Sequence, residues 1–341
     1  MNIEKIQLTN FRNYISQEIV LDKGINIFCG QNGEGKTNII EAVYMCAIGK
    51  SFRTRRDKET IRFGETLAKI ETKYEKKDRK GEIKLNISDK KSVYLNNVQI
   101  NKLSDFIGNI NVVLFNPNDI YILKNGPGER RRFLDIMISQ LRPIYTHNLS
   151  QYIKILEQRN TYLRQMKYEN KSEELLEVWD EKLINTGSII SEYRREFIEK
   201  IKNKINIIHE KITNNREKIE INYITNINDI IDRKKDVEKG YTTVGIHRDD
   251  IEIKINEKNI GTYGSQGQNR TAVLSLKLSE LEIVRDEIEE YPILLLDDFV
   301  SELDSVRKNN VLENIREHQV IITCTDKLNL DNAKIFNVKA R

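Results

Sequence analysis

The chain has 341 residues, of which 32% are charged and 38% hydrophobic, and its formal net charge is +4. A chain of this length holds about two domains, and the small positive charge permits nucleic-acid binding without requiring it. No apolar run approaches a membrane span, and charges throughout residues 1–14 argue against a secretory signal. The three scattered cysteines argue against a disulfide framework and predict a cytoplasmic protein, and no Cys/His cluster has metal-ligand spacing.

The first part of the chain predicts strands followed by a glycine-rich loop and a helix. Residues 3–8 and 19–21 predict early strands, and residues 25–29 alternate as a short buried strand. Residues 38–47 predict a helix. The run between them fits the pattern G-x-x-x-x-G-K-[ST] at every fixed position: Gly30-Gln31-Asn32-Gly33-Glu34-Gly35-Lys36-Thr37.

This loop has the chemistry of a phosphate site. Glycines let backbone N–H groups close around phosphate oxygens, and the helix N-terminus adds the positive end of its dipole. Lys36 would reach the β- and γ-phosphates, while the Thr37 hydroxyl would ligate Mg²⁺. The alternative is a chance glycine turn before a helix. Because the strand and the helix both stand where the pattern needs them, the loop predicts a nucleoside triphosphate site.

The predicted secondary structure changes near residue 120 and again near residue 240. Strands are predicted at 68–74, 82–87, 92–95 and 112–115, and the turn 116–119 closes the last of them. Between residues 141 and 239 there is one glycine and one proline, as in a helical region. We therefore predict an α/β domain formed by residues 1–120 and 241–341, interrupted by a helical domain at 121–240.

In the helical domain, apolar residues recur every three, four or seven positions, which is typical of one face of a long helix. The longer predicted helix covers 172–210 with this inner face: Leu176, Trp179, Leu183, Ile190, Tyr193, Phe197, Ile201, Ile205 and Ile208. A partner helix is predicted over 144–166 with four inward residues: Ile153, Leu156, Leu163 and Met166. Such faces form an ordinary helical core or the seam of a partner-binding arm, and the two are not exclusive.

Two carboxylates end a predicted buried strand in the last part of the chain. A strand is predicted at 251–255, and the run 291–298 places four apolar residues before Asp297 and Asp298. In open α/β sheets, ligands bind at the carboxyl ends of parallel strands. Asp297 would hold Mg²⁺ through water, and Asp298 would orient or deprotonate the attacking water. Alone, this run fits any core strand that enters a turn; paired with Lys36, it predicts the second half of the nucleotide site.

Between these motifs, Ser265 precedes a predicted helix whose inner face is Leu274, Leu278, Leu281 and Val284. The local interpretation is a helix cap after a glycine turn. The run Ser265-Gln266-Gly267-Gln268 also resembles the signature motif of ABC-type ATPases. In that class, the signature of one subunit meets the γ-phosphate held by the phosphate loop of another, which is again anion binding at a helix N-terminus.

Two further runs resemble the same class. Ser301-Glu302-Leu303-Asp304 has the Ser-x-Leu-Asp form of the D-loop. Thr323 and Thr325 follow the predicted strand 320–322, where the class keeps its switch residue. The histidine that is usual there in transporters is missing. Four ordered motifs therefore predict an ABC-type P-loop ATPase head, a mixed sheet with flanking helices, that carries an inserted helical arm.

More specific runs resemble the RecF family, relatives of the SMC-type ATPases. They are Asn10-Phe11-Arg12-Asn13-Tyr14, Gly49-Lys50-Ser51-Phe52-Arg53-Thr54, Phe115-Asn116-Pro117, Arg130-Arg131-Arg132-Phe133-Leu134-Asp135 and Gly245-Ile246-His247-Arg248-Asp249-Asp250. They span nearly the whole chain. The helical insert resembles the family only in outline, and it has no Cys-x-x-Cys, which argues against a zinc hook.

The resemblance implies an ATP-dependent homodimer that binds single-stranded, gapped or duplex DNA. It implies a role in recombinational repair, replication restart and the SOS response, with recombination mediator proteins that help load the strand-exchange recombinase at gaps. Slow, DNA-dependent ATP hydrolysis would release the clamp. The alternative is an ABC transporter ATPase subunit, which the large insert and the missing histidine disfavour. A small-molecule kinase is a third possibility, but it has no use for the signature helix.

For the site, the resemblance implies three groups of residues. Lys36, Asp297 and Asp298 would act in catalysis, and Thr37 with Asp297 would hold Mg²⁺. ATP would be bound by the loop from Gly30 to Thr37, by Arg12, and across the dimer by the signature residues Ser265, Gly267 and Gln268. Two positions depart from the class: Asp298 stands where most members have glutamate, which fits slow hydrolysis, and Asn116 stands where a glutamine is common.

Two basic clusters are candidates for DNA contact. One comprises Lys50, Arg53, Arg55 and Arg56, and the other Arg130, Arg131 and Arg132. Such clusters neutralise phosphates, or else they are solvated faces or internal partners of acidic residues. Both interpretations stay open for both clusters, and His247 receives no role.

Overall fold

The structure is a computed structural model that describes residues 1–77, 79–167, 172–227, 231–298, 317–325, 330 and 332–339. Its residues form two compact units, the first comprising 1–119 and 277–341 and the second 120–276. Residues 241–276, which the sequence analysis predicted in the α/β domain, thus cluster with the helical unit. The physical reason is strand pairing, because the strand at 250–255 pairs with a strand at 219–224 that directly follows the long helix.

The elements are numbered in chain order. The strands are β1 (Asn2–Phe11), β2 (Tyr14–Val20), β3 (Ile25–Cys29), β4 (Ala68–Lys76), β5 (Arg79–Ile87), β6 (Ser92–Leu95), β7 (Val98–Ile100), β8 (Val112–Phe115), β9 (Ile219–Ile224), β10 (Asp250–Ile255), β11 (Lys258–Asn259), β12 (Ile293–Asp297), β13 (Val320–Cys324) and β14 (Lys334–Asn337). The helices are α1 (Lys36–Ile48), α2 (Leu103–Phe106), α3 (Tyr121–Lys124), α4 (Pro127–Leu141), α5 (Pro143–Met166), α6 (Glu174–Thr213), α7 (Arg233–Lys239), α8 (Ile260–Tyr263) and α9 (Gln266–Ile288). Short 3₁₀ turns occupy Asp57–Thr60, Pro117–Ile120 and Ile246–Arg248.

The first unit contains a parallel sheet in the order β14-β3-β13-β12-β8. Every residue of β8, β12 and β13 is buried, as expected for parallel strands that are covered on both faces. The register pairs Asp297 with Thr323 and Cys324 with Cys29. The carboxyl ends of β3, β12 and β13 therefore lie side by side, and the glycine-rich loop begins at this edge.

The second sheet of this unit is antiparallel, in the order β2-β1-β4-β5-β6-β7. Helix α1 packs against β12 and β13 of one sheet and against β4 and β5 of the other. Being covered from both sides, it is apolar around most of its circumference. The loop that precedes α1 is thus anchored to a helix in which 11 of 13 residues are buried.

The strand predictions for this unit are confirmed, with differences at the ends. The bounds of β8 match the prediction, and β1, β4 and β5 extend a few residues further. The exception is β2, which was predicted at 19–21 and covers Tyr14–Val20. It is an edge strand in which Ile19 is buried while Ile15 is exposed, so little of it carries an apolar signal.

The second unit is built on α5 and α6, which pack along each other. At 40 residues, α6 extends for about 60 Å. Its predicted inner face is confirmed, with Leu183, Ile190 and Phe197 buried. The predicted inner face of α5 is partly wrong, because Ile153 is 47% exposed. Leu163 is buried as predicted, whereas the other buried positions are aromatic, polar or charged residues: Tyr145, Thr146, Asn148, Tyr152 and Arg159.

The charged inner residues belong to buried ionic clusters. Arg194 on α6 donates to Asp135 (2.8 Å), to Asp249 (2.7 Å) and to the carbonyl of Ile246 (2.8 Å). Arg159 donates to Asp180 (2.8 Å) and Asp236 (2.7 Å). Buried guanidinium groups need such partners, because an unpaired buried charge is very costly. These clusters explain why the buried positions of α5 do not form an aliphatic pattern in the sequence.

The same region explains two runs that resemble the RecF family. Asp135 ends the Arg-Arg-Arg-Phe-Leu-Asp run and accepts from Arg194, while Asp249 of the Gly-Ile-His-Arg-Asp-Asp run accepts from the other side of that guanidinium. His247 shares a 2.8 Å hydrogen bond with the Tyr152 hydroxyl, and its Nε2 lies 3.0 Å from the carbonyl of Thr242. Burial lowers the pKa of His247 to about 4, so the ring is neutral. Both runs therefore organise the core of the helical unit.

Candidate nucleotide site

The glycine-rich loop connects β3 to α1 through two residues in the left-handed region. Gly33 has φ +86° and Gly35 has φ +105°, a conformation that side chains disfavour. A Cβ on Gly30 would lie 2.3 Å from Glu34 Oε2 and 2.6 Å from the carbonyl of Val338. The loop thus needs glycine both for its backbone angles and for its close packing.

Asn13 and Tyr14 support the loop from the β1–β2 hairpin. Asn13 Nδ2 donates to the carbonyl of Glu34 (2.9 Å), and Asn38 Nδ2 donates to Asn13 Oδ1 (2.8 Å). The Tyr14 hydroxyl donates to the carbonyl of Gly35 (3.2 Å). The sequence analysis gave these residues no role at the site; their position in the Asn-Phe-Arg-Asn-Tyr run was the only signal for them.

Lys36 places a positive charge inside the loop. Its ammonium group donates to the carbonyls of Gly30 (2.7 Å) and Gln31 (3.0 Å), and the residue is buried. The N-terminus of α1 lies at the same point, with Gly35 as its cap. A buried cation next to a helix N-terminus is suited to bind an anion such as a phosphate group.

Thr37 and Asp297 meet at the carboxyl ends of the strands. Asp297 Oδ1 accepts a hydrogen bond from the Thr37 hydroxyl (2.8 Å) and another from the Thr323 hydroxyl (2.8 Å). Burial raises the pKa of Asp297, and the two hydroxyl groups oppose that shift. A hydroxyl beside a carboxylate at this place is a donor set that suits Mg²⁺.

Asp298 occupies an unusual backbone conformation next to this pair. Its φ is +49°, in the left-handed region, and its N–H donates to the Thr323 hydroxyl (3.0 Å). The chain therefore turns sharply as β12 ends, and Asp298 is half-buried. Residues in such conformations cluster at functional sites. Four predicted site residues, Lys36, Thr37, Asp297 and Asp298, thus lie within one unit at one sheet edge.

Arg12 is held by a buried carboxylate on α1. Its guanidinium group donates to both oxygens of Glu41 (2.8 and 2.5 Å), and Glu41 is fully buried. Arg12 has φ +54°. Arg12 is thus positioned by Glu41, which lies one helical turn after Thr37. A contact of Arg12 with the nucleotide stays a prediction.

Arg53 lies beside the candidate site, and the sequence analysis left open whether its cluster contacts DNA or pairs internally with acidic residues. Arg53 donates to Asn38 Oδ1 (2.8 Å) and lies 3.4 Å from a Glu41 oxygen. Burial raises the pKa of Asp297, and the charge of Arg53 is close enough to oppose that shift. The guanidinium of Arg53 therefore belongs to the surroundings of the nucleotide site.

The Asn116 amide is occupied by its own turn. Its Nδ2 donates to Asp119 (2.9 Å), and its Oδ1 accepts from the N–H of Asn118 (2.8 Å). Burial raises the pKa of Asp119 to about 6, opposed by the charge of Lys277. Asn116 therefore acts as a turn residue, in keeping with its departure from the glutamine of the class.

The signature residues lie in the helical unit. The Ser265 hydroxyl accepts from the N–H of Gln268 (3.2 Å), and Gln268 Oε1 accepts from the N–H of Ser265 (3.0 Å). This reciprocal pair is a capping box, so the local interpretation as a helix cap is confirmed. Ser265 is exposed, and a Cβ on Gly267 would meet only the Ser265 hydroxyl, at 3.9 Å.

The remaining candidates are distributed as follows. Ser301-Glu302-Leu303-Asp304, the predicted D-loop, lies outside the described residues. Lys50, Arg55, Arg56 and Arg132 are exposed. Arg130 instead binds Asp250 through two hydrogen bonds (2.6 and 3.0 Å), so for Arg130 the interpretation as an internal ion pair is confirmed.

Two general features concern the described part of the chain. None of its helices combines the length and the apolar character that crossing a membrane requires. Within the same residues, no group of three or more histidine, cysteine, aspartate or glutamate side chains is placed to hold a metal.

The parallel sheet, the phosphate loop and the paired aspartates define an ABC-type ATPase head. A sequence profile described as the RecF/RecN/SMC N terminal domain matches residues 2–340. The chain is 44% identical to the DNA replication and repair protein RecF of Clostridium novyi (strain NT), over 99% of this chain and 98% of that protein. It is 45% identical to the RecF of Alkaliphilus oremlandii (strain OhILAs), over 95% and 93%. The chain belongs to the RecF family.

Solved structures agree with this assignment. The chain is similar to the recombination mediator protein RecF-ATPrS of the RecFOR pathway, with a TM-score of 0.90 and 34% identity over 98% of this chain and 96% of that one. For RecF-ATP the TM-score is 0.89, with 36% identity over 96% and 93%. The Smc head domain of Pyrococcus furiosus, at 19% identity over 99% and 94%, shares the fold with a TM-score of 0.58. The predicted fold class and family are confirmed, and the transporter alternative is not favoured.

Proposed function

We propose that this chain is an ATP-dependent DNA-binding protein of recombinational repair and replication restart. Membership of the RecF family supports the role, and the hydrogen bond between Thr37 and Asp297 carries the mechanism. That bond joins the end of the phosphate loop to the end of β12, where a metal-bound triphosphate belongs. The chain would work in the cytoplasm, in keeping with its three free buried cysteines.

The residues present fit ATP and Mg²⁺. Gly30 leaves no room for a side chain, and Lys36 already carries its charge among the loop carbonyls. Lys36 would bind the phosphates, while Thr37 and Asp297 would hold Mg²⁺. When bound, the metal neutralises charge on the phosphate oxygens.

Asp298 would orient the attacking water and accept its proton. The short side chain of aspartate, compared with the glutamate of most ABC ATPases, favours a weak ATPase in which hydrolysis resets binding. The turn at Asp298 is fixed by Thr323, which also bonds to Asp297. Because Thr323 bonds to both residues, a substitution at Asp297 or Asp298 would also affect the other aspartate. We expect DNA to stimulate this activity.

The signature residues would act on the ATP of a second copy of the chain. Ser265 is exposed at the start of α9, and Gly267 has open space around it in the described residues. Nothing within the helical unit needs a glycine there, whereas close approach of a phosphate does. Gln268 holds the serine by the capping box. ATP would thus lie between two subunits and drive the formation of the dimer.

The closed dimer would bind DNA and cooperate with recombination mediator proteins that help load the strand-exchange recombinase at gaps. The head would comprise residues 1–119 and 277–341, and residues 120–276 would form the helical unit that carries the signature. Lys50, Arg55 and Arg56 are the exposed basic residues that best suit phosphate contacts. Arg130 is a weaker candidate than they are, because Asp250 already neutralises it.

The test is DNA binding across a salt series, with and without ATP. We expect ATP to tighten binding, with an affinity that falls steeply as salt rises. Lys36→Met should lose both ATP binding and the ATP effect on DNA, because the loop then lacks its buried cation. Lys90→Met, at an exposed lysine outside the proposed nucleotide and DNA contacts, provides a matched control that leaves the loop intact. DNA affinity that is indifferent to ATP, or unchanged ATP binding by Lys36→Met, would contradict the proposal.

A further inference from the structure

Gln268 has a second partner besides the signature serine. While its Oε1 accepts from the N–H of Ser265, its Nε2 donates to Glu217 Oε1 at 2.9 Å. The side-chain amide is therefore fixed at both ends. Glu217 is half-buried, so its charge stabilises this hydrogen bond more than a fully solvated carboxylate would.

Glu217 is itself held between the end of α6 and the start of β9. The next residue, Lys218, exchanges two 3.0 Å hydrogen bonds with Asn256, which follows β10. The second carboxylate oxygen, Oε2, lies 3.4 Å from Nε2 of His209, a buried residue in the last turns of α6. The position of Glu217 is thus set by the end of the long helix and by the adjoining sheet.

His209 connects this carboxylate back to the signature helix. Its Nδ1 lies 2.9 Å from the Ser275 hydroxyl on α9. That hydroxyl donates to the carbonyl of Thr271 (3.0 Å), so it accepts the proton of Nδ1. Nε2 of His209 then faces the acceptor oxygen Oε2 of Glu217, and this 3.4 Å contact becomes a hydrogen bond only when Nε2 is protonated. Helix α9 is therefore held at two points, at Ser275 by His209 of α6 and at Gln268 by Glu217 in the segment that follows α6.

We propose that Glu217 is a positioning residue for the signature serine. By fixing the amide of Gln268, it holds the Ser265 hydroxyl and the first turn of α9 in the orientation needed to meet a phosphate. The proposal rests on the proposed function, in which Ser265 acts across the dimer. It links the orientation of the signature to the end of the arm helix α6.

The test compares Glu217→Ala with Glu217→Gln and with Glu220→Ala. In Glu217→Gln, the carbonyl still accepts from Gln268, and the new amide can donate to Nε2 of His209. Glu220 lies three residues further on, where its pair with Lys218 is partly exposed, so Glu220→Ala controls for the loss of a glutamate in the same segment. Thermal unfolding of each variant identifies any that fails to fold.

Two readouts separate positioning from folding. Hydrogen exchange of residues 262–270 in the protein without nucleotide should quicken in Glu217→Ala and stay at the wild-type rate in the other two variants. The concentration for half-maximal ATP-induced dimerisation should rise by about tenfold in Glu217→Ala, since one charge-assisted hydrogen bond is lost. ATP binding by the monomer should not change, because the phosphate loop lies in the other unit.

The outcomes are distinguishable. Wild-type exchange at 262–270 in Glu217→Ala, or failure of Glu217→Gln to restore it, overturns the proposal. A loss of thermal stability that matches the loss of dimerisation assigns Glu217 a structural role instead and also overturns it. If wild-type protein does not dimerise with ATP, the proposed function fails, while the exchange measurement still decides whether Glu217 positions the signature turn.

Discussion

Charged side chains play opposite parts in the two units of this molecule. In the first unit, Lys36 at the start of α1 and Asp297 at the end of β12 are bound to carbonyl and hydroxyl groups rather than to an opposite charge. In the second, Arg194 and Arg159 are buried and each meets two aspartates. Charges that are partnered by neutral groups keep the capacity to bind a charged ligand. Charges that are neutralised in the core organise the fold.

This difference explains why charged residues that look alike in the sequence have different roles in the two units. The Arg-rich run at 130–132 is a candidate for DNA contact in the sequence, and the Gly-Ile-His-Arg-Asp-Asp run resembles the family without an assigned role. In the structure, Arg130 pairs with Asp250 and Arg194 with Asp249, so both aspartates of the second run serve the core. Charged residue types therefore indicate a functional site only when the partners of their side chains are known.

Replacing Arg194 tests the structural side of the comparison and should have the largest effect. Arg194→Met leaves Asp135 and Asp249 without their buried partner, which should cost about 3–5 kcal/mol of the free energy of unfolding. Urea denaturation measures this cost. Arg195→Met, at an exposed neighbouring position, is the control and should change stability by less than ~0.5 kcal/mol. Equal effects of the two substitutions would show that the buried cluster is not essential to the fold.

Replacing Asp298 tests the functional side. Asp298→Asn removes the group proposed to accept a proton, so ATP hydrolysis should slow by about a hundredfold, or ~2.7 kcal/mol in the activation barrier. Stability should hardly change, because the N–H that bonds to Thr323 is retained. Single-turnover hydrolysis measures the effect, and the DNA-bound dimer should persist longer. Faster turnover in the variant would contradict the role given to Asp298.

The pH dependence of stability tests the role of His247 in the core of the helical unit. Because burial lowers its pKa to about 4, below the ordinary value near 6.5, its contribution to stability is present above pH 6.5 and is lost as pH falls towards 4. Between pH 7 and pH 5, wild-type protein should lose about 1–2 kcal/mol more than His247→Gln does. His147→Gln, on the exposed side of α5, is the control. Parallel pH profiles for wild type and His247→Gln would contradict this account.

The sequence predicted those features that depend on local pattern. The phosphate loop needs eight neighbouring residues between a strand and a helix, and β8 is a continuous apolar run that ends at a turn. Both were predicted correctly because every determinant lies close in the chain. The long face of α6 was also predicted, since Leu183, Ile190 and Phe197 keep a helical period.

Features that depend on distant partners were not predictable. Ile153 on α5 was taken as inward because it is apolar, yet Tyr152 and Arg159 are the buried residues, and Arg159 is buried only because Asp180 and Asp236 neutralise it. For Arg53, the sequence left open DNA contact and an internal ion pair, because its partner Glu41 is known only from the fold. The same is true of Glu217, which is 51 residues from Gln268 in the chain.

The central claim is that ATP lies between two copies of the chain and that Ser265 completes the site of the other copy. Light scattering with ATP tests it most directly. Wild-type protein should shift from the 40.0 kDa monomer to twice that mass. Ser265→Arg should bind ATP but stay at the monomer mass, because the bulky cation occupies the place of the signature hydroxyl. A normal ATP-induced dimer of Ser265→Arg would contradict the account.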